Sequence, residues 1–424
     1  MPFASPPYLT RDLPGVGGQL KQQLSDFQVE EVPLYPAEGV GTHCYLLVEK
    51  RGFSTMAAAD VLAKALGRRN IDIGYAGLKD KQAITRQWFS VEHLETARAR
   101  ALGEQLPPGL KVIEITRHRN KIKRGHLAGN RFTIRIRNPE WGRIGTTLDE
   151  PVARAQAVLD ALGKTGVPNF FGPQRFGMRH DNHLLGLALL KNDAQGFVDR
   201  FLGDPDPSVD HGAVLTARQL YAKKEYNKAL ELWPGHLRDE RRALSALVKS
   251  KGNAKRAMFA VHLELKKLLV SALQSHLFNR VLERRLLRMA TLLPGDLCWK
   301  HDNGAVFALP GDPDAAAKEQ PRADAHEISP TGPLFGFRMT EAGSIVGTME
   351  AEVLSEAGLT LQDFGGPMGA PGARRPLRFF PRDIALHADS DDHGPHLRLS
   401  FTLPSGTYAT TLLAEVMKSD VTID

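Results

Sequence analysis

Cysteine is almost missing from this chain: 424 residues hold two, Cys44 and Cys298, far apart and outside any CxxC pair. That excludes a disulfide framework and a cysteine-built zinc site, and it points to a reducing compartment. Long apolar runs are missing too. No stretch approaches the ~20 apolar residues that a membrane span requires. The opening MPFASPPYLTRDLPG has no apolar segment of the signal-peptide kind. The expectation is a soluble, cytoplasmic chain with no membrane partner. Several catalytic signatures are also lacking. There is no GxxxxGK[ST] loop, no GxGxxG after a strand, no HExxH and no GxSxG, which removes the enzyme classes those motifs serve.

What is present is ordinary in bulk and uneven in detail. Hydrophobic residues make up 42% and charged residues 24%, values normal for a chain with a real core. The length suits two or three domains. The formal net charge of +7 fits an anionic partner such as nucleic acid or a membrane surface, although many soluble basic proteins meet neither. From Arg117 to Arg137, RHRNKIKRGHLAGNRFTIRIR, there are eight Lys/Arg and no acid. Arginines alternating along a strand read either as a phosphate track or as an edge strand blunted by charge.

The first 140 residues are patterned as mixed α and β. Phe27-Gln28-Val29-Glu30 alternates like a strand, and CYLLVEKRG, IDIGYAG, ITRQWFSV and RFTIRIR follow suit. STMAAADVLAKALGRRN reads as a helix capped by Ser54 or Thr55, with Met56, Val61, Leu62 and Leu66 on its apolar side. From about Gly166 the texture changes. Residues 214–290 are helical in pattern without a strand. In the longest segment Leu265, Leu268, Leu269, Ala272, Leu277, Val281 and Leu282 make one apolar face, with Lys266, Lys267, Arg280, Arg284 and Arg288 around it. Gly/Pro-rich stretches at 309–333 and 365–376 read as loops. LRLSFTL then alternates as a strand, PSG turns the chain, and Thr407 is placed to cap a last helix. An α/β opening, a helical middle and a β-then-α ending predict one domain built from both ends, with the middle inserted.

Three groups of residues could carry chemistry. GYAGLKDKQAITRQWF, Gly74 to Phe89, sets Asp80 between Lys79 and Lys81 on the connection between two strands. An ionised carboxylate there could act as nucleophile or base, and flanking lysines would favour its charge; a solvated loop aspartate is the plainer alternative. Phe27, Phe401 and the rings of NFFGPQRFG are either core residues or platforms for an unstacked base. Asp391-Asp392 is the one acidic pair that a metal-dependent nuclease might use, in a stretch that otherwise reads as solvated.

The motif AGLKDKQAITRQW resembles the active-site motif of the TruD family of pseudouridine synthases. GQLKQQLSDFQVEEV, GHLAGNRFTIRIR, GVPNFFGPQRFG, LLVSALQSHLFNRVLERR, TGPLFGF and LSFTLPSGTYATTLLAEV are similar to further segments of that family, in family order, from about Lys21 to Lys418. The resemblance implies an α+β fold. Its pseudouridine-synthase catalytic domain, with a mainly antiparallel sheet, would span 1–165 and 373–424, interrupted by a TruD-type insertion domain at 166–372. It implies isomerisation of uridine to pseudouridine at position 13 of tRNA, with no redox cofactor, metal or ATP, by a monomer. Residue by residue it implies Asp80 as the catalytic carboxylate and Phe27, Asn130, Phe401 and Lys21 as substrate-binding groups. Residues 204–262 resemble the larger members, which leaves a wider RNA set as an alternative. An inactive RNA-binding or chaperone protein on the same fold is the other.

Overall fold

The structure, a computed structural model, describes residues 5–140, 148–366 and 369–419. The chain gathers into two compact units: Tyr8–Val167 with Phe379–Asp424, and Pro168–Arg378 with Met1–Pro7. Among the described residues no helix is long and apolar enough to cross a membrane.

The first unit is built on an eight-stranded sheet. Its strands are β1 (Phe27–Pro33), β2 (His43–Arg51), β3 (Ile73–Tyr75), β4 (Ile84–Glu92), β5 (Leu110–His118), β6 (Leu127–Arg137), β7 (Arg382–Asp391) and β8 (Gly394–Pro404). The order is β7-β8-β6-β1-β4-β2-β5, with β3 also hydrogen-bonded to β4. Every pair is antiparallel except β1 with β4, which run parallel from Gln28 opposite Ile84. α1 (Thr55–Leu66), α2 (Asp149–Thr165) and α3 (Ala409–Met417) pack on this sheet.

Alternation puts successive side chains on opposite faces, and one face carries two apolar clusters. Phe27, Val29, Phe132, Ile134, Leu399 and Phe401 pack beneath α2 and α3. Cys44, Leu46, Val48, Phe89 and Val91 pack beneath α1. α1 begins where the cap signal placed it: the Ser54 hydroxyl accepts the Ala57 N–H at 3.2 Å, and Gly67 ends the helix at φ 63°, a left-handed conformation that costs glycine little.

The second unit contains the run of helices that the texture of 214–290 predicts: Gly212–Ala222, Tyr226–Leu232, Arg238–Lys249, Ala254–Ala260 and the long Leu263–Arg285. The long helix is buried through Leu269, Ala272, Leu277, Val281 and Leu282 as expected, and through Val270, Leu273 and Phe278 as well. Helices on several sides enclose it, so the face is wider than one stripe. Leu268 instead faces solvent.

Several local expectations fail for identifiable reasons. Met56 and Ile71 are exposed; Met56 lies in the first turn of α1, on the side away from Ala58, Ala59 and Leu62, and Ile71 belongs to a 3₁₀ turn before β3. Thr407 does not cap α3: its hydroxyl donates to the Pro404 carbonyl at 2.8 Å and closes the turn. The 309–333 stretch is not a loop. Pro313 starts a helix, Pro313–Asp324, whose N-cap Asp312 accepts from Ala315 N at 2.8 Å; proline is preorganised for that first position. Ile328–Leu334 then forms a buried strand, paired through Ile328–Pro330 on one side and Thr331–Leu334 on the other. At 365–376, Ala373–Pro376 is its partner strand, while Pro367 and Met368 lie outside the described residues.

A buried guanidinium ties the sheet together at one end. Arg137, last residue of β6, donates to Asp26 through Nε at 2.9 Å and through Nη2 at 2.6 Å, and to Asp391 through Nη1 at 2.8 Å. Asp26 precedes β1 and Asp391 ends β7, so three separate pieces of chain meet on one cation. Breaking a buried pair by removing one partner strands the other charge, at about 3–5 kcal/mol. Asp26→Asn should therefore lower the unfolding free energy by about 3 kcal/mol, the low end because Asp391 remains. Denaturant titration of the two proteins checks this; a loss under about 1 kcal/mol would show the pair to be dispensable.

Candidate active site

Between the two apolar clusters the same sheet face turns polar. Glu31 on β1, Lys50 on β2, and Thr85 and Gln87 on β4 occupy positions in phase with the buried apolar residues of their strands, and all four are buried. The pairing brings them together, with Lys50 opposite Thr85 and Val48 opposite Gln87. The turn that carries Asp80 sits on this polar seam because it leads directly into β4.

The seam grips the turn by backbone and side chain. The Thr55 hydroxyl accepts the Lys79 N–H at 2.8 Å and donates to Gln87 Oε1 at 2.9 Å. Gln87 Nε2 donates to the Gly77 carbonyl at 2.6 Å. The Lys79 ammonium turns inward, 3.0 Å from Glu31 Oε2 and 2.7 Å from Asn130 Oδ1. Lys79 and Glu31 are both almost fully buried, so this pair is desolvated and held by hydrogen bonds on several sides. Asn130 stands opposite Glu31 across β1 and β6. Its neighbour Gly129 passes so close to β8 that a Cβ there would lie 2.1 Å from the Leu403 carbonyl oxygen.

Asp80 itself points out, with its side chain 41% exposed. The cation that meets it is Lys21, whose ammonium lies 3.3 Å from Asp80 Oδ2 and is only 7% exposed. The expectation that Lys79 supplies local positive charge to Asp80 is therefore corrected, because Glu31 and Asn130 occupy that ammonium. Lys21 holds a left-handed backbone, φ 54°, a sparsely populated state for a residue with a Cβ. The same ammonium lies over the Phe27 ring, 4.6 Å from its centroid. Phe27, Asp80 and Lys21 are thus one cluster, and Asn130 joins it through Lys79.

Phe401 stands apart from that contact set. Its ring is 0% exposed and Phe27 is 2% exposed. Phe401 stacks on Phe132 at 5.3 Å, and Phe132 meets Phe27 edge-on at 6.1 Å. The three rings form a row that ends, at Phe27, under the Lys21 ammonium.

Lys50 escaped the reading of the sequence. It is fully buried, donating to the Phe53 carbonyl at 3.3 Å. Burial, with the neighbouring Lys79 charge, brings its pKa down to about 8, while Asp80 and Glu31 pull the other way. The available signal was phase: Lys50 continues the Cys44, Leu46, Val48 alternation into the core.

Five of the eight cations from Arg117 to Arg137 have polar partners in the fold, while Lys123, Arg124 and Arg131 are exposed. Arg117 donates to the Gly41 and Leu94 carbonyls, Arg119 pairs with Glu38 at 3.2 Å, and Lys121 donates to the Ile71 carbonyl at 2.6 Å. Arg135 reaches Asp391 at 3.3 Å and Arg137 is buried. Asp391 is therefore tied to two arginines although its side chain is 26% exposed; the Arg137 hydrogen bonds hold its carboxyl well below the usual carboxylate range. Among the described residues no group of three or more His, Cys, Asp or Glu could hold a metal ion.

Two measurements follow from this packing. Phe401→Ala should cost about 3–5 kcal/mol of stability, as for a large ring removed from a closed core; a melting temperature equal to wild type would mean the ring is not packed as described. For Lys50, an unfolded lysine has a pKa near 10.4 and the folded one about 8. Between those values the unfolded chain binds the extra proton, so stability rises with pH there. Below pH 8 both states are protonated and the burial penalty is complete. Lys50→Met should remove that rise and be at least as stable as wild type at pH 7; parallel stability curves for the two proteins from pH 7 to 10 would contradict it.

The family model described as tRNA pseudouridine synthase D (TruD) matches residues 5–416. A chain named tRNA pseudouridine synthase D from Geotalea daltonii is 46% identical over 415 residues, covering 97% of this chain and 100% of its own length. One of the same name from Geobacter sulfurreducens is 44% identical over 413 residues, covering 97% and 96%. Among solved structures, a candidate tRNA pseudouridine synthase D (TruD) from Methanosarcina mazei superposes with a TM-score of 0.83 at 27% identity, over 98% of this chain and 96% of that one. By sequence over nearly its whole length, and by an α+β fold with a mainly antiparallel sheet, the chain belongs to the tRNA pseudouridine synthase D (TruD) family.

Proposed function

We propose that this chain isomerises uridine to pseudouridine at position 13 of tRNA, as a cytoplasmic monomer, with Asp80 as its catalytic carboxylate. Family membership carries the reaction and the RNA class. The observation that supports the residue is the presentation of Asp80, an open carboxylate on a turn clamped from behind, with Lys21 at 3.3 Å. We further propose that Tyr8–Val167 with Phe379–Asp424 is the catalytic domain and that Pro168–Arg378 is the family's insertion.

The isomerisation breaks the C1′–N1 bond, turns the uracil and forms a C1′–C5 bond. The proton on C5 leaves and N1 gains one, so no electrons enter or depart. The uridine must first leave its stack, at a few kcal/mol. Asp80 then acts at the ribose, as nucleophile or as base. A mobile carboxylate would lose much of the advantage of fixed geometry. Here the Thr55, Gln87, Glu31 and Lys79 contacts fix the backbone on which Asp80 stands. Lys21 balances the charge of Asp80 and sits where a phosphate or the reacting sugar would approach. Asn130 can hold the turn through Lys79, or bond a base edge with its amide. Phe27 is linked to the carboxylate through Lys21, and Phe401 acts on Phe27 through Phe132.

Asp80→Asn should abolish pseudouridine formation on a tRNA transcript and leave tRNA binding intact. A variant retaining a tenth of the wild-type rate would remove Asp80 from the role. Position is tested separately: a transcript with cytidine at 13 should give no product. Pseudouridine elsewhere in that transcript, or in other RNAs mapped from cells lacking the protein, would favour the wider substrate set.

A further inference from the structure

Beside Arg117–Arg137, a second segment of this chain carries a marked excess of positive charge. From Lys223 to Lys267 there are twelve Lys/Arg and five Asp/Glu; the whole chain has 55 and 48, so removing the segment leaves 43 of each sign. These 45 residues carry an excess of seven positive charges and fold as short helices of the second unit and the start of its long helix.

The structure separates spent cations from available ones. On the long helix Arg280 pairs with Glu283 at 3.0 Å and Arg284 with Glu352 at 3.1 Å, and Lys267 pairs with Glu264 at 3.1 Å. Lys228 is paired with Glu225. By contrast Lys223, Lys224, Lys249, Lys251, Lys255 and Arg256 are exposed and have no ion-pair partner among the described residues. Like charges left this close repel one another and weaken the fold, unless a polyanion lies over them.

An open groove lies in this region, and of these six cations Lys249 lines it. The Arg238–Lys249 helix presents Arg241, Arg242, Ser245 and Lys249 to it, and Leu230 and Ala260 form the opposite side. Arg241 is structural, because its guanidinium donates to the Leu230 and Trp233 carbonyls. Arg242 is 54% exposed, with Asp239 at 3.6 Å, and Lys249 is exposed at the helix end. Among the described residues no acidic side chain lines the groove.

We infer that this groove is a docking surface for the sugar–phosphate backbone of tRNA, a site in the helical segment additional to the one around Asp80. The inference rests on the proposed tRNA reading. Phosphates contacted here would position the RNA without specifying its sequence, and each would contribute to the salt dependence of binding.

The test is direct binding of full-length tRNA transcript across a salt series, with turnover measured on the same samples. The proteins are wild type, the double variant Arg242→Gln with Lys249→Gln, and Lys318→Gln as an exposed-cation control in the same unit. At about 0.7–0.9 per phosphate, the slope of log affinity against log salt should flatten by roughly 1.5 in the double variant, with affinity falling roughly tenfold at low salt. The control should match wild type in affinity, slope and turnover. A folded double variant with wild-type affinity and slope overturns the groove, as does an equal loss in the control. A wild type that shows the groove-dependent slope but makes no pseudouridine would support the groove and refute the proposed reaction, so the two failures are distinct.

Discussion

The ion pair between Lys79 and Glu31 is the constraint on which the site depends. It is buried, so it holds only if both charges remain paired and fully hydrogen-bonded. Asn130 and Gln87 supply the remaining bonds, and Gln87 is also fixed by the Gly77 carbonyl and Thr55. Asp80 is adjacent in sequence to the lysine that this network immobilises. Its carboxylate is therefore exposed while its backbone is anchored, a combination that neither a surface loop nor a core position would give. The parallel pairing of β1 with β4 makes this possible, because it brings Glu31 beside the strand that the turn enters.

Lys21 completes the arrangement from another direction. It arrives from the segment before β1, held in a left-handed backbone, and its ammonium is shared between the Asp80 carboxylate and the Phe27 face. The aromatic row behind it is closed core. The cluster thus joins a rigid apolar side to a polar side, and Asp80 stands at the boundary with access to solvent.

Much of the scaffold was legible because alternation is a strong signal where one sheet face is buried. β1, β2, β4, β6 and β8 all lie where period two placed them, as does the turn holding Asp80. The residues that anchor the turn were less visible. Glu31, Lys50 and Gln87 each break an apolar pattern, and one polar residue in a strand says nothing about its partners until the register is known. Lys79 was misread because adjacency in sequence suggests adjacency of charge, whereas successive side chains in an extended turn diverge. Net positive density does not say which cations are spent: Arg117, Arg135 and Arg137 bond inside the fold, while Lys123, Arg124 and Arg131 of the same stretch are exposed. The Gly/Pro-rich stretch at 309–333 reads as coil because proline at a helix start and proline in a strand that changes partners both imitate a loop.

β6 finds its neighbour β8 only across a gap of some 270 residues, with Phe132 opposite Phe401. During synthesis on the ribosome, a strand rich in isoleucine and phenylalanine therefore waits with one open edge until almost the entire chain has emerged. Such an edge is a template for pairing with another nascent chain. Arg131, Arg135 and Arg137 lie on the face of β6 opposite the apolar one. Three like charges on one face of the strand make self-pairing of two copies repulsive, so these arginines can protect the strand during translation.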